Sequence, residues 1–284
     1  MAVAPRRPSQ TAVLTAAARA LHMEEPPPWV LDDSLAIQLA GEDGPPLMER
    51  MRTELSHDSL LDFTRWVAGR GRFIEDLVER EAADGVGQYV ILGAGLDSFA
   101  YRHPTLLQKL RVFEVDQPES QAWKLRRLES LAIPRPVNLT FAAVDFETQT
   151  LTDGLAGAGF DFGSRAVVSW FGVTMYLTME AISSTLVQLA RLARGSRLAL
   201  TYNLPISALD GLGLETSGPM RAMAAGMGEP FVSLFLPSEI ETLMLEIGFS
   251  DIVHFGPEEM IETYFRGRAD IRLGGAQRII VARI

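Results

Sequence analysis

The sequence predicts an α/β fold, with about seven strands in a mostly parallel sheet, the last of them antiparallel, and helices packed against it. Three observations predict it. From Val90 onward, short apolar runs alternate with helical patterns, as in a parallel sheet joined by crossover helices. The first run opens into Gly93-Ala94-Gly95, a tight strand-to-helix turn, and the second ends on Asp116. The first 85 residues, by contrast, hold helical patterns and hardly a strand.

Residues 1–85 are therefore expected to form a helical cap or flank over the sheet. Their opening stretch, MAVAPRRPSQTAVLTAAARALHM, reads as an amphipathic helix, because Arg19 interrupts the apolar residues before they reach the length of a leader. The longest pattern is DSLLDFTRWVAGRGRFIEDLVEREAA, interrupted by Gly69 and Gly71. Residues 86–284 form the expected core. Its strands are YVIL, RVFEV, LTFAAVD, RAVVSWF and RLALTY, in that order. Between them, PESQAWKLRRLESLA and MEAISSTLVQLARLA carry apolar residues at helical spacing, with Pro118 suited to a first helical turn. The connection TLTDGLAGAGF is Gly-rich and reads as a loop. After the fifth strand the rhythm breaks over residues 203–232, a Gly-, Pro- and Met-rich insertion too long for an ordinary connection and suited to a lid. Met220, Met223 and Met227 within it read as flexible apolar lining. PSEIETLMLEIGF then gives a helix with a Gly stop, and DIVHF and QRIIVARI give two last strands able to pair as a closing hairpin.

Composition narrows the function classes. The chain has 284 residues, 47% of them hydrophobic and 22% charged, enough for one large domain or a domain with a cap. A formal net charge of −10 argues against a nucleic-acid backbone or an anionic membrane as the main partner. Without cysteine there is no disulfide, thiolate metal site or Cys nucleophile, and the four His have no repeated ligand spacing, so no metal is expected. No apolar run approaches a membrane span. The expected setting is cytoplasmic and the expected partner a small molecule; oligomeric state is left open.

In an open parallel sheet, ligands bind at the carboxyl ends of the strands near the point where strand order reverses, which gathers Gly93, Gly95, Asp97, Asp116 and Asp145 at one rim. Gly93 and Gly95 let the backbone turn and approach a ligand. Asp116, 23 positions after Gly93, can accept both hydroxyls of a ribose. Asp97 would repel a pyrophosphate and attract an ammonium, which favours S-adenosyl-L-methionine over a dinucleotide; it can also cap the helix that follows. Asp145 and Phe146 end the third strand, either as a loop cap or as a frame for adenine. Arg70 and Arg72, on a helix before the first strand, are either a solvated basic pair beside Glu75 and Asp76 or a bidentate grip on a carboxylate.

With these positions assembled, the sequence resembles the leucine carboxyl methyltransferase family, including bacterial polyketide-type and actinobacterial O-methyltransferases. The resemblance covers most of the chain and is carried by SQTAVLTAAARALH, RGRFIED, VILGAGLDSFAYR, VFEVDQPESQAWK, VDF at Val144 to Phe146 and GVTMYL at Gly172 to Leu177. It implies a Rossmann-like class I methyltransferase sheet, S-adenosyl-L-methionine as cofactor with S-adenosyl-L-homocysteine as product, and methylation mainly of carboxylates. It implies further that Gly93 lies beside the cofactor, Asp116 on its ribose, Asp145 and Phe146 around adenine, and Arg70 or Arg72 on its carboxylate. Tyr176 matches a tyrosine on the substrate side. One departure stands out: many relatives have an acid immediately before the glycine of GVTMYL, whereas this chain has Phe171, which can instead wall the sulfonium by a cation–π contact.

Methyl transfer is an in-line displacement that needs no covalent nucleophile, and an ionised carboxylate acceptor needs no general base. No catalytic residue is therefore assigned; His103 and His254 are the candidate bases for a phenolic acceptor, and both read more readily as structural or solvated. Two rivals remain: a nicotinamide-dependent oxidoreductase, against which Asp97 and Ser98 count, and a non-catalytic cofactor-binding protein, which Phe171 keeps open.

Overall fold

The computed structural model describes residues 9–144 and 149–284. Four helices come first: α1 (Gln10–His22), α2 (Ala36–Ala40), α3 (Gly44–Glu54) and α4 (His57–Ala83). The order is then β1 (Gln88–Leu92), α5 (Phe99–Arg102), β2 (Arg111–Asp116), α6 (Pro118–Ser130), β3 (Leu139–Ala143) and α7 (Leu151–Gly157). It continues through β4 (Ala166–Trp170), α8 (Met179–Leu189), β5 (Arg197–Asn203), α9 (Gly211–Gly226) and α10 (Pro237–Ile247). β6 (Ser250–Phe255), α11 (Pro257–Tyr264) and β7 (Gln277–Arg283) close the chain.

Among the described residues the strands form one seven-stranded sheet of order β3-β2-β1-β4-β5-β7-β6. β1 to β5 are parallel, and β7 runs antiparallel to both β5 and β6. The last two strands do pair with each other, but β7 slots between β5 and β6 rather than lying at the edge. Its side chains explain this: Ile279, Ile280 and Ala282 are fully buried, whereas Val253 on β6 is largely exposed. Strand order reverses between β1 and β4, so the crevice above their carboxyl ends is where a ligand site belongs.

Alternate residues of the central strands feed two cores. Val90, Val168 and Leu200 pack with Ile182, Leu186 and Ile240 of α8 and α10. Tyr89 and Ile91 face the other way, against Ile74, Leu77 and Val78 of α4 and Phe99 of α5. α4 thus spans the sheet and the helical cap, where Val67 joins Leu14, Leu21, Met51 and Met223 in a third cluster. Met223 belongs to α9, so the 203–232 insertion is not merely loose lining: it holds a helix seated on the cap. Among the described residues no helix is long and apolar enough to cross a membrane.

Two glycine readings are corrected. The stretch TLTDGLAGAGF is not a loop but contains α7, whose Thr150 cap accepts from Asp153 N at 3.1 Å and whose Leu151 and Leu155 are buried. A Cβ at Gly154 would overlap Val144, so glycine there serves close packing. Likewise Gly69 and Gly71 do not interrupt α4. Side chains at those positions would run into Met260 and Leu31, and the bare helix face lets both approach.

Candidate active site

A cavity of about 750 Å³ lies over the carboxyl ends of β1, β2 and β4, within the usual range for a small-molecule site. Gly93 through Ser98, Asp116, Phe171 and Tyr176 line it from the sheet side, and α1 and α4 roof it with Thr11, Thr15, Arg19 and Arg70. Asp145 and Phe146 lie outside the described residues; Gln149 and Thr150, just beyond them, line the same cavity.

The glycine loop is held by its own acids. Gly93 and Gly95 have φ of 67° and 50°, the left-handed region that glycine adopts without strain. A side chain at Gly93 would also overlap Val173 Cγ2. Asp116 Oδ2 accepts from Gly95 N, and Oδ1 accepts from Gln117 N at 2.7 Å. Burial raises the Asp116 pKa, and those two backbone donors pull it back. Asp97 Oδ1 accepts from Phe99 N at 2.8 Å at the start of α5, and the residue also lines the cavity.

Ser98 occupies its position for a reason that spacing did not reveal. Its Oγ donates to Asp33 Oδ2 at 2.7 Å and accepts from Arg102 Nε at 2.9 Å. Asp33 also receives Arg19 Nε at 2.7 Å, and Arg19 Nη2 reaches the Leu96 carbonyl at 2.8 Å. Burial would raise the Asp33 pKa, but Arg19, Arg102 and the Ser98 hydroxyl outweigh it and hold the carboxyl below its ordinary range. α1 is thereby bolted to the loop. Sequence reading missed Arg19, Asp33, Arg102 and Glu75 as cavity-lining residues; the only signal was a cationic residue inside an otherwise apolar helix face.

The structure separates the two candidate arginines. Arg70 is buried on the cavity wall, where its Nη1 donates to Gln277 Oε1 at 2.6 Å. Gly172, with φ of 72°, makes room for it, since a Cβ there would stand 2.9 Å from Nη2. Burial lowers its pKa to about 10, so it stays cationic at neutral pH. Arg72 points elsewhere: its Nη2 pairs with Asp76 Oδ1 at 2.6 Å on the surface, and it does not line the cavity. The reading of Arg72 as a ligand contact is set aside, because residues two apart on a helix face nearly opposite directions.

Phe171 and Tyr176 both line the cavity. Tyr176 meets the Phe231 ring edge-on at 5.5 Å, and burial raises its hydroxyl to about 12, which keeps it a proton donor. At the cavity wall, Ser9 and Thr11 at the start of α1 both donate to Glu229, beyond α9. Neither candidate histidine lines the cavity. His103 stands 3.1 Å from Glu75, and His254 Nδ1 contacts the Tyr202 hydroxyl at 2.8 Å. Among the described residues no group of three or more His, Asp or Glu is placed to hold a metal ion.

The model of the leucine carboxyl methyltransferase family matches residues 12–190, which take in the glycine loop, Asp116 and Tyr176. YktD of Bacillus subtilis (strain 168), which carries the provisional name of an S-adenosyl-L-methionine-dependent methyltransferase, is 31% identical over 284 residues, covering 92% of this chain and 93% of its own. A similarly named protein of Frankia alni is 31% identical over 257 residues, 78% of this chain and 88% of its own. A solved structure of a DUF574 family protein from Streptomyces avermitilis shares the fold with a TM-score of 0.60 at 14% identity, over 95% of this chain and 96% of that one. With the family model spanning more than half of the sequence and YktD matching along nearly all of it, this chain belongs to the leucine carboxyl methyltransferase family.

Proposed function

We propose that this protein is an S-adenosyl-L-methionine-dependent O-methyltransferase that methylates a carboxylate, or another oxygen, of a small molecule such as a polyketide or other natural product. The observation that carries the reading is Arg70. Its guanidinium is buried, bonded to the neutral amide of Gln277, and has no acid within ion-pair distance among the described residues. A buried cation of that kind is costly unless a ligand supplies the opposite charge, and the methionyl carboxylate of the donor does so.

The remaining lining fits the same group. Gly93 and Gly95 leave the backbone bare where a nucleoside must approach. Each Asp116 oxygen holds one backbone N–H and keeps a lone pair for a ribose hydroxyl. Asp97 faces the ammonium, and Phe171 walls the sulfonium. Asp145 and Phe146 keep their proposed place around adenine by motif alone. When the donor is bound, an acceptor oxygen opposite the sulfur forms the new O–C bond while the electron pair of the C–S bond returns to sulfur.

The chain's own task is to align the acceptor and exclude water. Tyr176, protonated at neutral pH, can donate to an acceptor oxygen. That both histidines stand off the cavity supports a carboxylate, which is ionised without a base. The test is transfer of labelled methyl from the donor to a panel of small organic acids and phenols. Base-labile label in the acids is expected; label found only on nitrogen or carbon acceptors overturns the O-methyl reading.

A further inference from the structure

A second cavity, of about 80 Å³, lies beneath α9 and shares Thr15, Arg70, Gly172 and Tyr176 with the first as common wall. It has room for about five to eight water-sized groups, the scale of a small organic molecule. Phe63, Trp66, Met220 and Phe231 make the wall largely apolar, and three charged side chains interrupt it: Asp62, Arg70 and Arg221.

Two of the three are accounted for. Asp62 accepts from Thr216 Oγ1 at 2.6 Å and from Gly274 N at 2.8 Å, one donor on each oxygen, through which α4 grips α9 and the loop before β7. Arg70 belongs to the donor. Arg221 remains. Its Nη2 donates to the Leu204 carbonyl and its guanidinium lies 5.8 Å from the Phe231 ring centroid. Its Nε is buried without a hydrogen-bond partner, and no acid lies within ion-pair distance among the described residues. Burial lowers its pKa, the mark of a cation with no counter-charge in the protein. A planar guanidinium with free donors in an apolar pocket matches a carboxylate.

We infer that this cavity is the acceptor's own subsite and that Arg221 selects acceptors carrying a carboxylate on a small apolar body. The inference rests on the methyl-donor reading of the first cavity, since Arg70, Gly172 and Tyr176 are what join the two. Phe231 links the elements: its ring centroid lies 5.8 Å from the Arg221 guanidinium and 5.5 Å from the Tyr176 ring, so an acid held by Arg221 stands near the wall that this cavity shares with the first.

The test is calorimetry on the full chain loaded with S-adenosyl-L-homocysteine, titrated with hexanoate, benzoate and the corresponding amides. The acids are expected to bind at least about tenfold more tightly than the amides, the scale of one charge-assisted hydrogen bond. Arg221→Gln should abolish that preference while changing S-adenosyl-L-homocysteine affinity less than about twofold, and Arg221→Lys should keep part of it. Acids and amides binding alike, acids failing to bind the loaded protein, or a preference that survives Arg221→Gln would each overturn the inference. So would Arg221→Gln and Arg221→Lys losing S-adenosyl-L-homocysteine equally, since Arg221 would then be a scaffold residue. Failure of the unaltered protein to bind S-adenosyl-L-homocysteine would instead overturn the donor reading itself, and this subsite with it.

Discussion

Arg70 on α4 donates from Nη1 to Gln277 Oε1 on β7 at 2.6 Å, so a buried guanidinium is oriented by an amide that carries no charge. The same oxygen accepts from Trp66 Nε1 at 2.9 Å, and Gln277 Nε2 donates to Asn203 Oδ1 at 2.9 Å. This arrangement aims the cation without neutralising it. Gln277→Glu would place a carboxylate against Arg70 and make the donor's carboxylate compete for it. The affinity for S-adenosyl-L-homocysteine should fall about tenfold or more, the value of a charge-assisted hydrogen bond, while the fold holds. Unchanged affinity by calorimetry would remove Arg70 from the donor site.

Arg72 supplies the contrast. Its pair with Asp76 is an i,i+4 surface contact with both side chains substantially exposed, a kind that contributes about 0–1 kcal/mol. Arg72→Ala should leave cofactor affinity within experimental error and the melting temperature nearly unchanged. Arg70→Ala should lose most of the affinity. Equal losses in the two variants would mean that α4 presents both residues to the ligand.

The separation of these arginines shows where sequence reading stops. All seven strands were legible, because short apolar runs and the glycine turn are local signals. α7 was not legible, because Gly154 and Gly157 suggest a break, whereas the structure needs Gly154 bare against Val144. The glycine loop and Asp116 were legible as cavity lining because a strand end places them, whereas Tyr176 came from the resemblance of GVTMYL. Arg19 and Asp33 were missed because their bonds to Leu96 and Ser98 link the cap to the loop across more than 60 positions. Such braces have no period, and only the folded chain brings them together.

Asp116 has two duties, and substitution can separate them. Asp116→Ala removes the acceptors for Gly95 N and Gln117 N, leaving backbone donors without partners at about 1–3 kcal/mol each where they stay dry. Both melting temperature and cofactor affinity should drop. Asp116→Asn keeps one oxygen for one backbone donor and should recover part of the stability, with affinity still reduced. Full affinity in folded Asp116→Asn would show that the carboxylate serves the loop alone.

Gly93 combines a left-handed backbone with a tight neighbour, and the two costs should come apart in a double variant. Gly93→Ala meets Val173 Cγ2 and forces a β-carbon into φ of 67°, a backbone cost of about 1–2 kcal/mol. Adding Val173→Ala relieves the overlap only. Denaturant unfolding should show Gly93→Ala/Val173→Ala more stable than the sum of the single changes, yet below Val173→Ala alone by about the backbone cost. Simple additivity would mean that Val173 moves aside freely and no real contact exists.

Beneath the loop, Lys124 Nζ lies 2.5 Å from Glu114 Oε2 and 2.6 Å from the Asp97 carbonyl, with both side chains almost wholly buried. Burial, with the nearby charges of Asp97 and Asp116, lifts Glu114 to about 7 against the pull of Lys124. The folded chain thus holds this proton more tightly than the unfolded chain, whose glutamate titrates near 4.5. The stability that follows is fully present below that lower value and is lost as pH rises through about 7. Glu114→Gln cannot titrate, so the melting temperature of the wild type minus that of Glu114→Gln should decline steadily from pH 5 to pH 8 and level off above. A difference that stays flat over that range, or grows with pH, would show that Glu114 is ionised throughout and that Lys124, rather than burial, governs it.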